Sequence, residues 1–133
     1  MPIIDGKLYD YRFAKELYFQ SSETSREDPE YFNFGLYQKA EGDLFICGIG
    51  GGRSFFRYDC MTKRGITRCP GRVYLPIYGA FAERLLQAIS EGKKLFFVQN
   101  DSPDPVVVID KGTALFVRFA KSVPVYRERR RRK

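Results

Sequence analysis

Two kinds of side chain are interleaved between residues 53 and 72. Arg53, Arg57, Lys63, Arg64, Arg68 and Arg72 are cations, and Phe55, Phe56 and Tyr58 sit among the first of them. Cations neutralise phosphates, and aromatic faces stack on unpaired bases at roughly 1 to 3 kcal/mol each, so the combination suits single-stranded DNA or RNA. Aromatic residues make up 16% of the chain, so some interleaving arises by chance, and a phenylalanine in a strand is more often core than contact surface. If 53–58 is a strand, Arg53, Phe55 and Arg57 face one way and Ser54, Phe56 and Tyr58 the other. One set would then meet a ligand while the other packs beneath it.

The charge distribution points to the same segment. The chain carries a formal net charge of +7, but residues 1–46 hold nine acids against five bases, which is −4. Residues 53–72 hold six bases against Asp59, and the end "RERRRRK" at 127–133 holds six bases against Glu128, so each contributes +5. That end, with Arg127, Arg129, Arg130, Arg131, Arg132 and Lys133, has no apolar area to bury and repels itself. It reads as a disordered basic tail that supplies phosphate contacts of low sequence specificity.

Several other chemistries are removed by composition. There is no histidine, which excludes imidazole acid/base catalysis, Ser-His-Asp and Cys-His nucleophiles and histidine-held metals within this chain. The three cysteines, Cys47, Cys60 and Cys69, form no C-x-x-C pair, which argues against a zinc site or a disulfide framework. Cys47 lies in an apolar run and reads as a small buried hydrophobe, whereas the basic surroundings of Cys60 and Cys69 would lower a thiol pKa. The acids cluster in a polar loop at 23–30 or flank turns, and no catalytic pair stands out. The expectation is a protein without enzymatic activity, metal or cofactor.

The glycine run "GIGGGRS" at 48–54 invites a phosphate-loop reading that fails by position. G-x-G-x-x-G from Gly48 needs glycine where Arg53 stands, and a Walker loop ending at Ser54 needs lysine at Arg53 and glycine at Cys47. Nor does a helix follow, since "SFFRYD" is β-rich. A tight hairpin or bulge is the expectation.

The elements that must position these residues follow from periodicity. Strands are expected at 7–21, 31–40, 43–51 and 53–61, with "EGD" turning one hairpin, and "TKRGITRCPGR" is either a basic loop or a further short strand around Ile66 and Thr67. On 31–40, Phe32, Phe34 and Leu36 share one face while Tyr31, Asn33 and Tyr37 share the other. The stretch 75–94 predicts a helix with Pro76 in its first turn, an apolar stripe at Ile77, Phe81, Leu85, Ala88 and Ile89, and Gly92 as C-cap. Strands at 94–100, 106–110 and 113–123 complete the order β-β-β-β-α-β-β-β. This is an α+β fold, a twisted antiparallel sheet with one face covered by the helix and the other available, over a single domain at 1–126 and a tail at 127–133.

Four antiparallel strands and a covering helix, with "GGGRS" between strands, "GRVYLPI" entering the helix and "FAERLLQAISEG" within it, resemble the β-β-β-β-α unit of the Pur-alpha, Whirly and positive-cofactor-4 group over about residues 31–92. The resemblance implies a sheet that binds single-stranded nucleic acid, with Arg53, Phe55, Arg57 and Tyr58 on its surface and Lys63, Arg64, Arg68 and Arg72 along its edge. It also implies pairing into homodimers or larger homo-oligomers. The three strands after the helix would begin a second unit, but no second helix follows. No apolar run is long enough to span a bilayer, and "MPIIDGKLYD" does not read as a secretion leader, so the expected setting is the cytoplasm or nucleus, not a membrane. The alternative function is a structural or assembly component of a viral or ribonucleoprotein particle.

Overall fold

The structure is a computed structural model that describes residues 2–54, 56–77, 79–93, 95–98, 106–109, 115–118 and 126–129. Its strands are β1 (Ile3–Ile4), β2 (Lys7–Leu8), β3 (Lys15–Ser21), β4 (Phe32–Gln38), β5 (Leu44–Gly50), β6 (Tyr58–Thr62), β7 (Gly65–Cys69), β8 (Gly71–Ile77), β9 (Leu95–Val98), β10 (Val106–Ile109), β11 (Leu115–Arg118) and β12 (Tyr126–Arg129). A 3₁₀ turn covers Tyr11–Phe13 and one helix, α1, covers Gly79–Ser90. Among the described residues the α+β class with antiparallel sheets and a single α-helix is the observed one.

The centre of the fold is a five-stranded sheet in the order β12-β8-β5-β4-β3, antiparallel throughout. The hairpin β6-β7 is inserted between β5 and β8, β1 pairs with β2, and β9, β10 and β11 form a separate antiparallel meander. Period-2 alternation sorts the central strands as their sequences require. Phe34 and Leu36 of β4, Leu44 and Ile46 of β5, and Val73, Leu75 and Ile77 of β8 form one buried cluster, closed by Leu85 and Ala88 of α1. At the end of α1, Gly92 takes φ 75°, and the Lys93 and Gly92 amides donate to the Ala88 and Ile89 carbonyls. These two bonds satisfy carbonyls that the helix leaves open, as the expected glycine cap requires.

The opposite face is not available over its whole width. Tyr37, Phe45, Cys47 and Tyr74 form a second cluster with Ile4 and Tyr9, and half-buried Tyr11, Ala14 and Tyr126 pack against it. The rings of Tyr9 and Phe45 meet edge to face at 5.6 Å, and Tyr37 stacks on Phe45 at 5.5 Å. The segment at 2–14 therefore folds back as a cover instead of running on as one long strand from residue 7. Asp10 caps its 3₁₀ turn: its buried carboxylate accepts from the Arg12 backbone N–H at 3.0 Å and from the Arg12 guanidinium at 2.7 Å. These bonds hold the Asp10 carboxyl below its ordinary pKa.

Two boundaries differ from expectation. Helix α1 begins at Gly79, and "GRVYLPI" is strand β8, an interior strand between β12 and β5. Pro76 is tolerated because β12 pairs only with Gly71–Tyr74, so Pro76 lies outside that register. The helix pattern was misread because Leu75 and Ile77 belong to a period of two that continues into the helical stripe without a polar break. The second correction concerns the basic end, which does not leave the fold at residue 127. Tyr126–Arg129 form an edge strand on β8, and residues 130–133 lie outside the described residues.

Candidate nucleic-acid interface

The segment expected to be an aromatic and basic strand is a compact turn. Ser54 is fully buried, its hydroxyl donates to the Gly51 carbonyl at 2.8 Å and accepts from the Phe56 N–H at 3.2 Å, and the Ser54 and Arg57 amides donate to the Gly51 and Ser54 carbonyls. A chain wound around one hydroxyl in this way cannot alternate. Phe56 is driven into the first cluster, fully buried, with its ring stacked 6.2 Å from Phe32 and 6.4 Å from Phe34. Phe56 is therefore core and cannot stack on a base. Phe55 lies outside the described residues.

The glycines make this turn fit. A Cβ on Gly48 would fall 2.5 Å from Cζ of the Phe56 ring, so the ring lies directly on the backbone of β5. A Cβ on Gly51 would meet the backbone of Pro29, and one on Gly52 would stand 2.7 Å from the Arg68 carbonyl oxygen. The amides are engaged internally too, Gly51 N–H on the Tyr31 carbonyl and Arg53 N–H on the Pro29 carbonyl, each at 2.8 Å. The run serves close approach of three chain segments and leaves those amides no anion to hold.

The predicted cations fall into two groups. Arg53, Lys63, Arg64, Arg68 and Arg129 are exposed. Arg57, Arg72 and Arg127 are half-buried and work within the fold. Arg57 donates to the Ser54 carbonyl at 3.4 Å and approaches Asp59 at 3.6 Å. Arg127 donates to the Arg57 carbonyl at 2.9 Å, which ties β12 to the turn, and burial followed by the neighbouring Arg57 cation pulls its pKa down. Arg72 pairs with Glu128 at 3.7 Å and lies 5.3 Å from the Tyr11 ring centroid. Tyr58 is half-buried at the base of β6.

The exposed group is organised by β6-β7. Its register runs from Tyr58 opposite Cys69 to Thr62 opposite Gly65, which leaves Lys63 and Arg64 as the turn. Gly65 takes φ 109°, and Thr62 Oγ1 accepts from the Arg64 N–H at 3.3 Å and donates to the Gly65 carbonyl at 2.9 Å. The second of the two sequence readings of 62–72, a further short strand, is the one observed. At the hairpin's base a cleft of about 1090 Å³ lies between the 26–31 loop, the glycine turn and β12, lined by Arg26, Arg68, Arg72 and Arg129 together with Glu27, Asp28 and Glu128. Sequence reading missed Arg26 and Tyr31 here. Their signal was weak, because 21–30 reads only as a polar loop.

The thiols sort by burial. Cys47 is buried, and desolvation pushes its pKa up to about 12. Cys60 and Cys69 sit diagonally on one face of the hairpin, and a side-chain hydrogen bond that the Cys60 thiol donates to Cys69 pushes Cys60 up, against the lowering expected from its basic surroundings. Among the described residues no three Cys, Asp or Glu side chains are placed to hold a metal ion, and no helix is long and apolar enough to cross a membrane. Comparison with protein families, curated proteins and solved structures gives no match for the chain.

Proposed function

We propose that the chain is a non-enzymatic nucleic-acid-binding protein that prefers single-stranded DNA or RNA. The observation that carries this reading is the set of exposed cations on and beside the β6-β7 hairpin: Lys63, Arg64 and Arg68 on the hairpin, Arg53 in the turn before it, and Arg129 lining with Arg68 the cleft at its base. The hairpin itself carries three of these cations and one acid, Asp59. Exposed rings stand elsewhere on the surface for stacking: Phe13 is 75% exposed, with the Arg12 guanidinium 5.8 Å from its centroid, and Phe19 is 52% exposed on edge strand β3. The resemblance to the Pur-alpha, Whirly and positive-cofactor-4 group belongs to this proposal, with contact moved from the sheet face to the hairpin and the cleft.

The test is a titration of single-stranded DNA, single-stranded RNA and duplex at several salt concentrations. Log affinity is expected to fall linearly with log salt, and removal of residues 130–133, four cations, to flatten the slope by up to about 3 for single strands. The truncation stops at 130 because residues 127–129 belong to β12. Absence of binding at low salt defeats the proposal. A large closed oligomer without oligonucleotide affinity would favour an assembly role instead.

A further inference from the structure

The tip of the β6-β7 hairpin combines two features that the exposed cations alone do not require. Met61 is 83% exposed and Ile66 is 70% exposed, and the two are direct cross-strand partners, so they form one apolar pair on one face. Exposed apolar residues scattered singly need no explanation, but a paired couple at the end of a projecting ribbon keeps apolar area in water on both strands at once. Beyond the pair, past the cross-strand couple Thr62 and Gly65, comes the turn Lys63-Arg64, and on the same face behind it Arg68 stands opposite Asp59. The apolar couple therefore has two cations in front of it and the Arg68–Asp59 pair behind it.

Resting on the function proposed above, we infer that the hairpin is a contact arm in which Met61 and Ile66 insert against adjacent bases of a bound strand while Lys63, Arg64 and Arg68 neutralise the flanking phosphates. The fit is one of size and charge. Five-residue strands give an arm roughly 15 Å long, enough to lie along several nucleotides of a bound strand. Methionine and isoleucine are side chains that unstack bases by wedging, because they offer apolar volume and no hydrogen bond that competes with the base edge. A partner of this chemistry also explains the composition of the tip, where residues 60–68 hold three cations and no acid.

The experiment uses the full chain and a single-stranded oligonucleotide carrying 2-aminopurine in an adenine run, whose fluorescence rises when it is unstacked. The unaltered protein is expected to bind and raise the fluorescence at saturation. The double variant Met61→Ser, Ile66→Ser is expected to bind about tenfold more weakly with an unchanged salt slope and no fluorescence rise. The double variant Lys63→Gln, Arg64→Gln is expected to flatten the slope by about 1.4 and to keep the rise at saturation. Thermal unfolding of each variant verifies that these exposed changes leave the fold intact. Wild-type affinity and fluorescence in the serine variant overturn the inference while leaving nucleic-acid binding in place. So does adsorption to vesicles of anionic lipid that depends on Met61 and Ile66 when oligonucleotide binding does not. Failure of the unaltered protein to bind any oligonucleotide overturns the functional proposal itself.

Discussion

The five-stranded sheet and the β6-β7 hairpin use similar residues to opposite ends. Both are antiparallel, and both contain arginine, aromatic or apolar side chains in alternation. In and against the sheet, Phe56 of the glycine turn is stacked on Phe32 and Phe34, Arg72 is paired with Glu128, and Arg127 is bonded to the Arg57 carbonyl. In the hairpin, Met61, Lys63, Arg64, Ile66 and Arg68 all face solvent. The difference comes from coverage: α1 lies on one face of the sheet and residues 2–14 on part of the other, whereas among the described strands β6 and β7 pair only with each other. A residue type announces a chemistry, and the layers around it decide whether that chemistry serves packing or a partner.

The comparison breaks first if Phe56 is not core. Phe56→Ala is expected to cost about 3 to 5 kcal/mol of stability, read by denaturant or thermal unfolding, because it leaves a cavity among Phe32, Phe34 and the Gly48 backbone. An unchanged melting point together with weakened oligonucleotide binding would put the ring on the surface. Gly48→Ala approaches the same contact from the other side. Its methyl would overlap the Phe56 ring, and the expected loss is about 1 to 3 kcal/mol as the ring is displaced.

A smaller effect tests the cover over the second face. Asp10 has a folded pKa below its ordinary 3.8, so its bonds to Arg12 add stability that is present above that value and is lost as pH falls through the folded pKa. Asp10→Asn should lower the melting temperature by a few degrees at pH 7, and the gap between variant and parent should close as pH drops below about 4. A gap independent of pH would mean that the carboxylate charge contributes nothing to the turn at 10–13. The smallest effect belongs to the hairpin: Met61→Ser with Ile66→Ser should change stability by no more than about 0.5 kcal/mol, since neither side chain is packed. A larger loss would show that the arm is part of the core after all.

Much of the fold was legible from local pattern. Alternation on β4 separated Phe34 and Leu36 from Tyr37 correctly, "EGD" marked the β4-β5 turn, where the Lys39 amide donates to Asp43, and Gly92 capped the helix. The candidate site was legible only as composition. Lys63, Arg64 and Arg68 emerged exposed, but Phe56 and Arg127 did not, and the cleft joins residues near 28, 51, 68 and 128 that no window of sequence brings together. The basic end was misjudged because a strand of sequence "YRER" has no apolar alternation, and β8 supplies its partner from more than fifty residues away.

Sequence by itself determined the antiparallel α+β class, the period-two sorting of the central strands, the concentration of cations in two segments and the exclusion of histidine chemistry. These are local or additive properties of the chain. Only the tertiary structure decided that the glycine run turns around the Ser54 hydroxyl, that Phe56 is spent on the core, and that the exposed basic surface is a hairpin and a cleft instead of an open sheet. Each of those outcomes depends on which distant segment covers a residue, and burial is a property of that covering layer rather than of the residue it covers.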